Sequence, residues 1–141
     1  MILYLDTSAL IKLFVREAGT DEVQSACAEA AVLVTSGLTY VETYSAFARM
    51  RADDRLSTGG YEERIASFRA FWTQLATVAV DEVLGRAATL TSAHRRLRAY
   101  DAVHLASAVS LRAEQLEFAC WDSRLRAAAA VERLSLQPSA L

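Results

Sequence analysis

A parallel α/β sheet with helices on both faces is the fold this sequence predicts. Three observations predict it: short continuous apolar runs recur along the chain, helix-length segments separate them, and the first run, Ile2 to Leu5, ends abruptly in Asp6-Thr7-Ser8. An apolar run without polar alternation suits a strand buried on both sides. Parallel neighbours need a crossover of about a dozen residues, which a helix supplies.

Ile2–Leu5 is thus the expected first strand, feeding a helix over 8–15 through a capping Asp-Thr-Ser turn. A helix over 20–29, a strand over Ala31–Thr35 and a long helix over 38–54 follow. Ser57-Thr58-Gly59-Gly60 is the clearest turn signal, and the helix after it, over 60–75, carries an apolar stripe of Tyr61, Ile65, Phe68, Trp72 and Leu75 with Phe71 beside it. Core packing is the default role of that stripe, and any exposed part of it is a surface for a partner helix. Strands at Thr77–Val80, Phe118–Trp121 and Leu134–Leu136 complete the sheet, connected by helices over 81–93, 102–114 and 123–130.

The 141 residues fit one domain, 1–141, with no internal repeat or linker. A hydrophobic content of 53%, with one proline and five glycines, excludes disordered and collagen-like chains. The net charge of −2 argues against a protein that grips nucleic acid by its overall field, so any such contact is local. Fourteen of the cations are arginines and one is Lys12, so phosphate contacts would mostly use guanidinium forks. Cys27 and Cys120 form neither a disulfide framework nor a thiolate zinc motif, which fits a reducing compartment. MILYLD lacks a basic leader region and no uncharged apolar stretch approaches the roughly 18 residues of a membrane span, so a cytoplasmic protein without membrane contact is expected.

In an open parallel sheet, ligands bind beyond the carboxyl ends of the strands. Asp6 follows ILYL and Asp122 follows FACW, so both carboxylates fall along one sheet edge, where each also suits a helix cap. Glu42 borders an apolar stripe of Leu38, Val41, Ser45 and Ala48, and is expected to be at least half buried. No Lys or Arg lies three or four residues away to neutralise it, leaving a distant arginine or a bound cation as its partner. Asp101 opens AVHLASAVSL, apolar nearly all round, after a basic approach of Arg95, Arg96 and Arg98; capping is its alternative role. Together the four acids suggest a divalent-cation site. His94 and His104 are the only histidines; His104 reads as a packing residue in the buried helix and His94 as a surface one, which disfavours acid–base chemistry by a histidine pair.

LDTSALIKLFVREAGTDEV, YVETYSAFARM, LRAYDAVHLASAV and ACWDSRLRAAAA closely resemble, in order and spacing, the PIN-domain ribonucleases, and specifically the VapC-type toxins of type II toxin-antitoxin pairs. The resemblance covers nearly the whole chain. It implies a PIN fold, an acidic quartet of Asp6, Glu42, Asp101 and Asp122, and Ser8 as the hydroxyl accompanying the first aspartate. Trp121 stands where these toxins often carry a smaller aromatic or threonine.

The implied activity is Mg²⁺-dependent endonucleolytic hydrolysis of RNA, with Mn²⁺ as an alternative ion, leaving a 5′-phosphate and a 3′-hydroxyl. Mg²⁺ keeps several waters and takes one or two carboxylates directly, so Asp6 and Asp101 are assigned as direct ligands, with Glu42 and Asp122 orienting waters or helping hold a second ion. Lys12, four residues after Ser8, is a candidate phosphate contact, as is Arg124, ranked first in a basic rim with Arg126, Arg95, Arg96 and Arg98. The implied partners are RNA, a small antitoxin whose Arg or Lys enters the acidic pocket, and a second copy in a homodimer or toxin-antitoxin hetero-oligomer. A stand-alone PIN-fold RNA-processing nuclease and a non-catalytic PIN-fold interaction module are the alternatives. Phosphoaspartyl enzymes need D-x-D or a downstream lysine, and the five glycines make no phosphate-binding loop.

Overall fold

The computed structural model describes residues 1–111 and 115–141. In chain order these form β1 (Ile2–Leu5), α1 (Thr7–Ile11), α2 (Thr20–Glu29), β2 (Val32–Ser36), α3 (Leu38–Ala52), α4 (Thr58–Trp72), β3 (Ala76–Val78), α5 (Val80–Ala93), α6 (Ala99–Ser110), β4 (Leu116–Ala119), α7 (Ser123–Val131) and β5 (Ser135–Gln137). The strands make one sheet in the order β3-β2-β1-β4-β5, every pair parallel. β1 is central, with Leu5 opposite Ala119 of β4. The strand order reverses between β1 and β4, and there the carboxyl ends open a crevice.

Alternation along β1 divides the core in two. Tyr4 joins Val34, Phe118 and the inner faces of α5, α6 and α7 on one side of the sheet. Leu3 and Leu5 join Leu10, Val23, Phe47 and Phe68 on the other. All three β1 side chains are fully buried, which explains why the strand reads as an unbroken apolar run.

Several boundaries shift from the sequence expectation. α1 ends at Ile11, and Lys12–Phe14 continue as turns instead of helix. The Ser-Thr-Gly-Gly segment is not the turn: Ser57 caps α4, its Oγ accepting from the Gly60 N–H at 2.9 Å, and the first helical turn tolerates both glycines. The reversal lies earlier, where Asp54 adopts a left-handed conformation (φ 56°) and Arg55 and Leu56 donate back to the Met50 carbonyl. β4 starts and ends two residues early, so Cys120 and Trp121 separate it from Asp122. α6 starts three residues early, making Asp101 its third residue; the far end of the helix expected over 102–114 reaches positions outside the described residues. On α3 the buried face is Thr39, Thr43, Ala46 and Phe47, and Val41 and Ser45 of the expected stripe are exposed. Thr39 and Thr43 look polar in sequence, yet Thr39 is satisfied internally, its hydroxyl 2.7 Å from that of Thr35, which donates to the Leu5 carbonyl. The α4 stripe packs largely inward: Phe68 is fully buried and Trp72 stacks edge-on against Tyr40 of α3 with ring centres 5.0 Å apart.

Candidate active site

Asp6 is the residue immediately after β1, 3% exposed, and caps α1: its Oδ1 accepts from the Ala9 N–H at 2.8 Å. The Ser8 hydroxyl donates to both carboxylate oxygens, at 2.7 and 2.9 Å, and itself accepts from the Trp121 N–H at 2.9 Å. Ser8 therefore ties the exit of β4 to Asp6 and holds its carboxylate in place. Burial raises the Asp6 pKa, and the neighbouring His104 opposes that rise.

Asp122 caps α7, its Oδ1 accepting from the Arg124 and Leu125 N–H groups at 2.9 and 3.0 Å. The capping and carboxylate-cluster readings of Asp6 and Asp122 are thus compatible, since a cap occupies one oxygen of each. Asp101 is not a cap: Arg98 holds that position on α6 with no side-chain bond. The Asp101 Oδ2 is buried and has no hydrogen-bond partner. Burial and then the charge of Asp122 raise its pKa, against the pull of Arg98 and His104.

Glu42 is fixed by a network that the sequence does not announce. Its Oε2 accepts from His104 Nε2 at 2.7 Å and from the Thr7 hydroxyl, which also lies 3.2 Å from that nitrogen. A carboxylate can only accept, so Nε2 carries a proton, and Nδ1 lies 3.0 Å from the Tyr4 O–H. Burial keeps the Tyr4 pKa well above 10.0, so it retains its proton. Burial alone would raise Glu42, but the His104 hydrogen bond and charge, with Thr7 and Arg49, outweigh it and lower its pKa. The partner of Glu42 is thus a histidine, not a distant arginine. Its side chain is 23% exposed, more buried than exposed as expected.

Glu42 and Asp101 line one cleft of about 300 Å³ with Thr7, Ile11, Arg49 and Arg98. A second, of about 310 Å³, contains Ser8 and Lys12 and shares Ile11, Ala46 and Arg49 with the first. Arg49 and Arg98 form no ion pair among the described residues, so both remain available to an anion. Arg49 escaped the sequence reading; its only signal was its place seven residues after Glu42, two helical turns along one face.

Other expected contacts move. Lys12 is 7% exposed: its ammonium donates to Glu17 at 2.8 Å and to the Ala18 carbonyl at 2.9 Å, and lies 5.2 Å from the Trp121 ring centre. It is not a solvated lysine: two of its three N–H donors are engaged and its charge is paired. Arg126 is buried, donating to the Cys120 and Pro138 carbonyls, and so leaves the basic rim. Arg124 lies in a separate groove with Arg95 and Arg96. His94 is not a bare surface residue; its Nε2 is 2.9 Å from Glu132.

Among the described residues, no three His, Cys, Asp or Glu side chains gather closely enough to enclose an ion. The donor set still fits a hard divalent cation. Such an ion needs only one or two direct carboxylates, and the buried, unpartnered Asp101 oxygen is a donor awaiting a ligand. No helix among the described residues is long and apolar enough to cross a membrane.

A parallel sheet with Asp6 and Asp122 following the two strands where its order reverses, and Glu42 and Asp101 lining a cleft beside them, defines an α/β protein with its acids at the switch point. The PIN domain profile matches residues 3–131, and the chain belongs to the PIN domain family. It is 27% identical over 140 residues to a protein named ribonuclease VapC45 from Mycobacterium tuberculosis, covering 99% of this chain and 97% of that one. The crystal structure of M. tuberculosis VapC20, titled a sarcin-ricin loop cleaving toxin, superposes with a TM-score of 0.69 at 20% identity, over 89% of this chain and 94% of that one. The VapBC-1 structure from nontypeable Haemophilus influenzae gives 0.65 at 17% identity over 97% of both chains.

Proposed function

We propose that this chain is an endoribonuclease of the VapC toxin type, hydrolysing RNA phosphodiester bonds with Mg²⁺ or Mn²⁺ held at Asp6 and Asp101. The observation that carries this reading is the buried, unpartnered oxygen of Asp101, a residue that lines the cleft with Glu42, and the relatives named as ribonucleases provide the chemical context. When bound, the cation supplies charge neutralisation at the phosphate and an acidified water.

The chain's own groups do the rest. Ser8 and the α1 cap aim the Asp6 carboxylate, and Thr7 and His104 hold Glu42 by one oxygen, leaving its Oε1 without a hydrogen-bond partner among the described residues. Its lowered pKa keeps that oxygen a proton acceptor near neutrality, suited to orienting the attacking water. Arg49 and Arg98, lining the same cleft, hold non-bridging phosphate oxygens. Asp122 orients water at the far side of Asp101. An in-line attack by water opposite the 3′-oxygen does not use the 2′-hydroxyl; the P–O3′ bond breaks, the 3′-oxygen leaves as a hydroxyl and the phosphate stays on the 5′ side.

The inhibiting partner in this reading is a small antitoxin whose segment covers the cleft. The exposed apolar residues beside Glu42 are Val41 and Tyr100, which with Leu38 line a pocket of about 200 Å³ adjoining the acids. A segment seated there would place an Arg or Lys against Glu42 and Asp101, and a second copy of the chain completes the assembly.

Substituting Asp6→Asn or Asp101→Asn tests the assignment. Each should lower cleavage of a labelled RNA by about 100-fold or more, since a neutral amide is a poor ligand for a hard cation. Full activity in both variants would remove these residues from the site.

A further inference from the structure

The basic groove that took Arg124 away from the acidic cleft has no role in the chemistry above. It lies between the α5–α6 connection and α7, with a volume of about 230 Å³. Arg95 and Arg96 stand on one wall and Arg124 on the other, over an apolar floor of Leu97, Ala128 and Val131. All three arginines are exposed, and none makes an ion pair or side-chain hydrogen bond among the described residues. Three free guanidiniums on one groove are conspicuous in a chain of net charge −2. The walls are also fixed relative to each other: His94, at the start of the connection, is held by Glu132 at the end of α7, and Leu97 is buried in the core. Val131, 69% exposed, leaves an aliphatic surface open beside the charges.

Forked cations above an apolar strip match a polyanion that also carries flat apolar faces: phosphates meet the guanidiniums while sugars and bases lie on the floor. The groove neighbours the acidic cleft along the chain on both of its walls, and the Asp101 and Asp122 charges feel each other. Arg98, two residues after Arg96, lines that cleft, and Asp122 lies two residues before Arg124. A strand placed across Asp101 and Asp122 therefore runs into the groove. We propose that this groove is a binding tract for the sugar-phosphate backbone of single-stranded RNA, gripping the part of the substrate that flanks the cleaved bond. The inference rests on the nuclease reading above and adds to it where the substrate lies.

The test is equilibrium binding of a labelled single-stranded RNA of about 20 nucleotides, followed by fluorescence anisotropy across a salt series in Mg²⁺, in the Asp6→Asn background so that the RNA stays intact. Adding Arg95→Gln and Arg96→Gln should reduce the slope of log affinity against log salt by about 1.4, from about 0.7 per lost phosphate contact, and weaken binding about tenfold near 0.1 M salt. The Lys double variant at the same positions should recover most of the slope, because charge is retained. Thermal melts of each variant confirm that the fold is intact. An unchanged slope in the Gln variant, with the parent binding RNA well, overturns the groove proposal alone. Loss of affinity for a polyglutamate peptide with RNA binding unchanged also overturns it, in favour of an acidic protein partner. A parent that fails to bind RNA, together with a wild type that fails to cleave it, would instead overturn the nuclease reading.

Discussion

Asp6 and Asp101 are costly residues in the fold they occupy. Burial raises both pKa values, so the native state holds their protons more tightly than the unfolded chain does. Each thus contributes stability that is fully present below about pH 4, the unfolded carboxyl value, and is lost as pH rises through the raised native value. In chelator near neutral pH, Asp6→Asn and Asp101→Asn should therefore be as stable as the wild type or more so, by on the order of 1 kcal/mol, since a neutral amide avoids the buried charge and at position 6 still caps α1. That advantage should shrink as pH falls towards about 4. Millimolar Mg²⁺ should stabilise the wild type more than either variant, because only a ligand favouring the native state shifts unfolding. Variants melting well below the wild type in chelator would make the two aspartates structural residues of the fold instead of site carboxylates. His104 acts through Glu42. His104→Phe removes the Nε2 donor and strands the Tyr4 hydroxyl, so the melt should fall by about 1–3 kcal/mol and Glu42 should lose its fixed orientation. His104→Gln can still donate to Glu42, so it should retain more turnover than the Phe variant. Equal turnover in the two would argue against a positioning role.

The segment between α1 and α2 shows how one element supports the site without touching it. Gly19, with φ 91°, lies against the Trp121 indole so closely that an added Cβ would overlap the ring nitrogen. The Lys12 ammonium lies 5.2 Å from the centre of the same ring while paired to Glu17, and the Trp121 backbone N–H reaches Ser8. Gly19→Ala combines backbone strain with overlap and should cost more than about 1 kcal/mol, measured by denaturant unfolding. A neutral outcome would mean that the loop does not bear on Trp121. At this scale the strands were legible because buried parallel strands read as apolar runs, and Asp6 because a carboxylate ending such a run is conspicuous. The inner face of α3 was not legible: Thr39 and Thr43 are polar by type, and Thr39 is satisfied by an internal hydroxyl pair that periodicity cannot register. The Glu42–His104 bond joins residues 62 apart, and no local spacing points to it. The Ser57–Gly60 misreading has a local cause, since a capping serine followed by glycines has the composition of a turn.

For the molecule as a whole, the charge distribution separates the functions. A net −2 chain places Arg49 and Arg98 at the carboxylate cleft and Arg95, Arg96 and Arg124 along the groove, so the proposed attraction for RNA is local. If a small partner masks the cleft, expressing the chain alone should slow bacterial growth, and co-expression with the adjacent small gene should restore it. Equal growth in both cultures with an active enzyme would count against a toxin-antitoxin pair and favour a stand-alone nuclease. The central claim, hydrolysis of RNA by a cation held at Asp6 and Asp101, is tested most directly by incubating the purified chain with end-labelled RNA in chelator, restoring Mg²⁺ in excess, and determining the chemistry of the new ends. The account predicts no cleavage in chelator, and cleavage on Mg²⁺ addition that leaves 5′-phosphate and 3′-hydroxyl ends. Cleavage that persists in chelator, or products ending in a 2′,3′-cyclic phosphate, would contradict it.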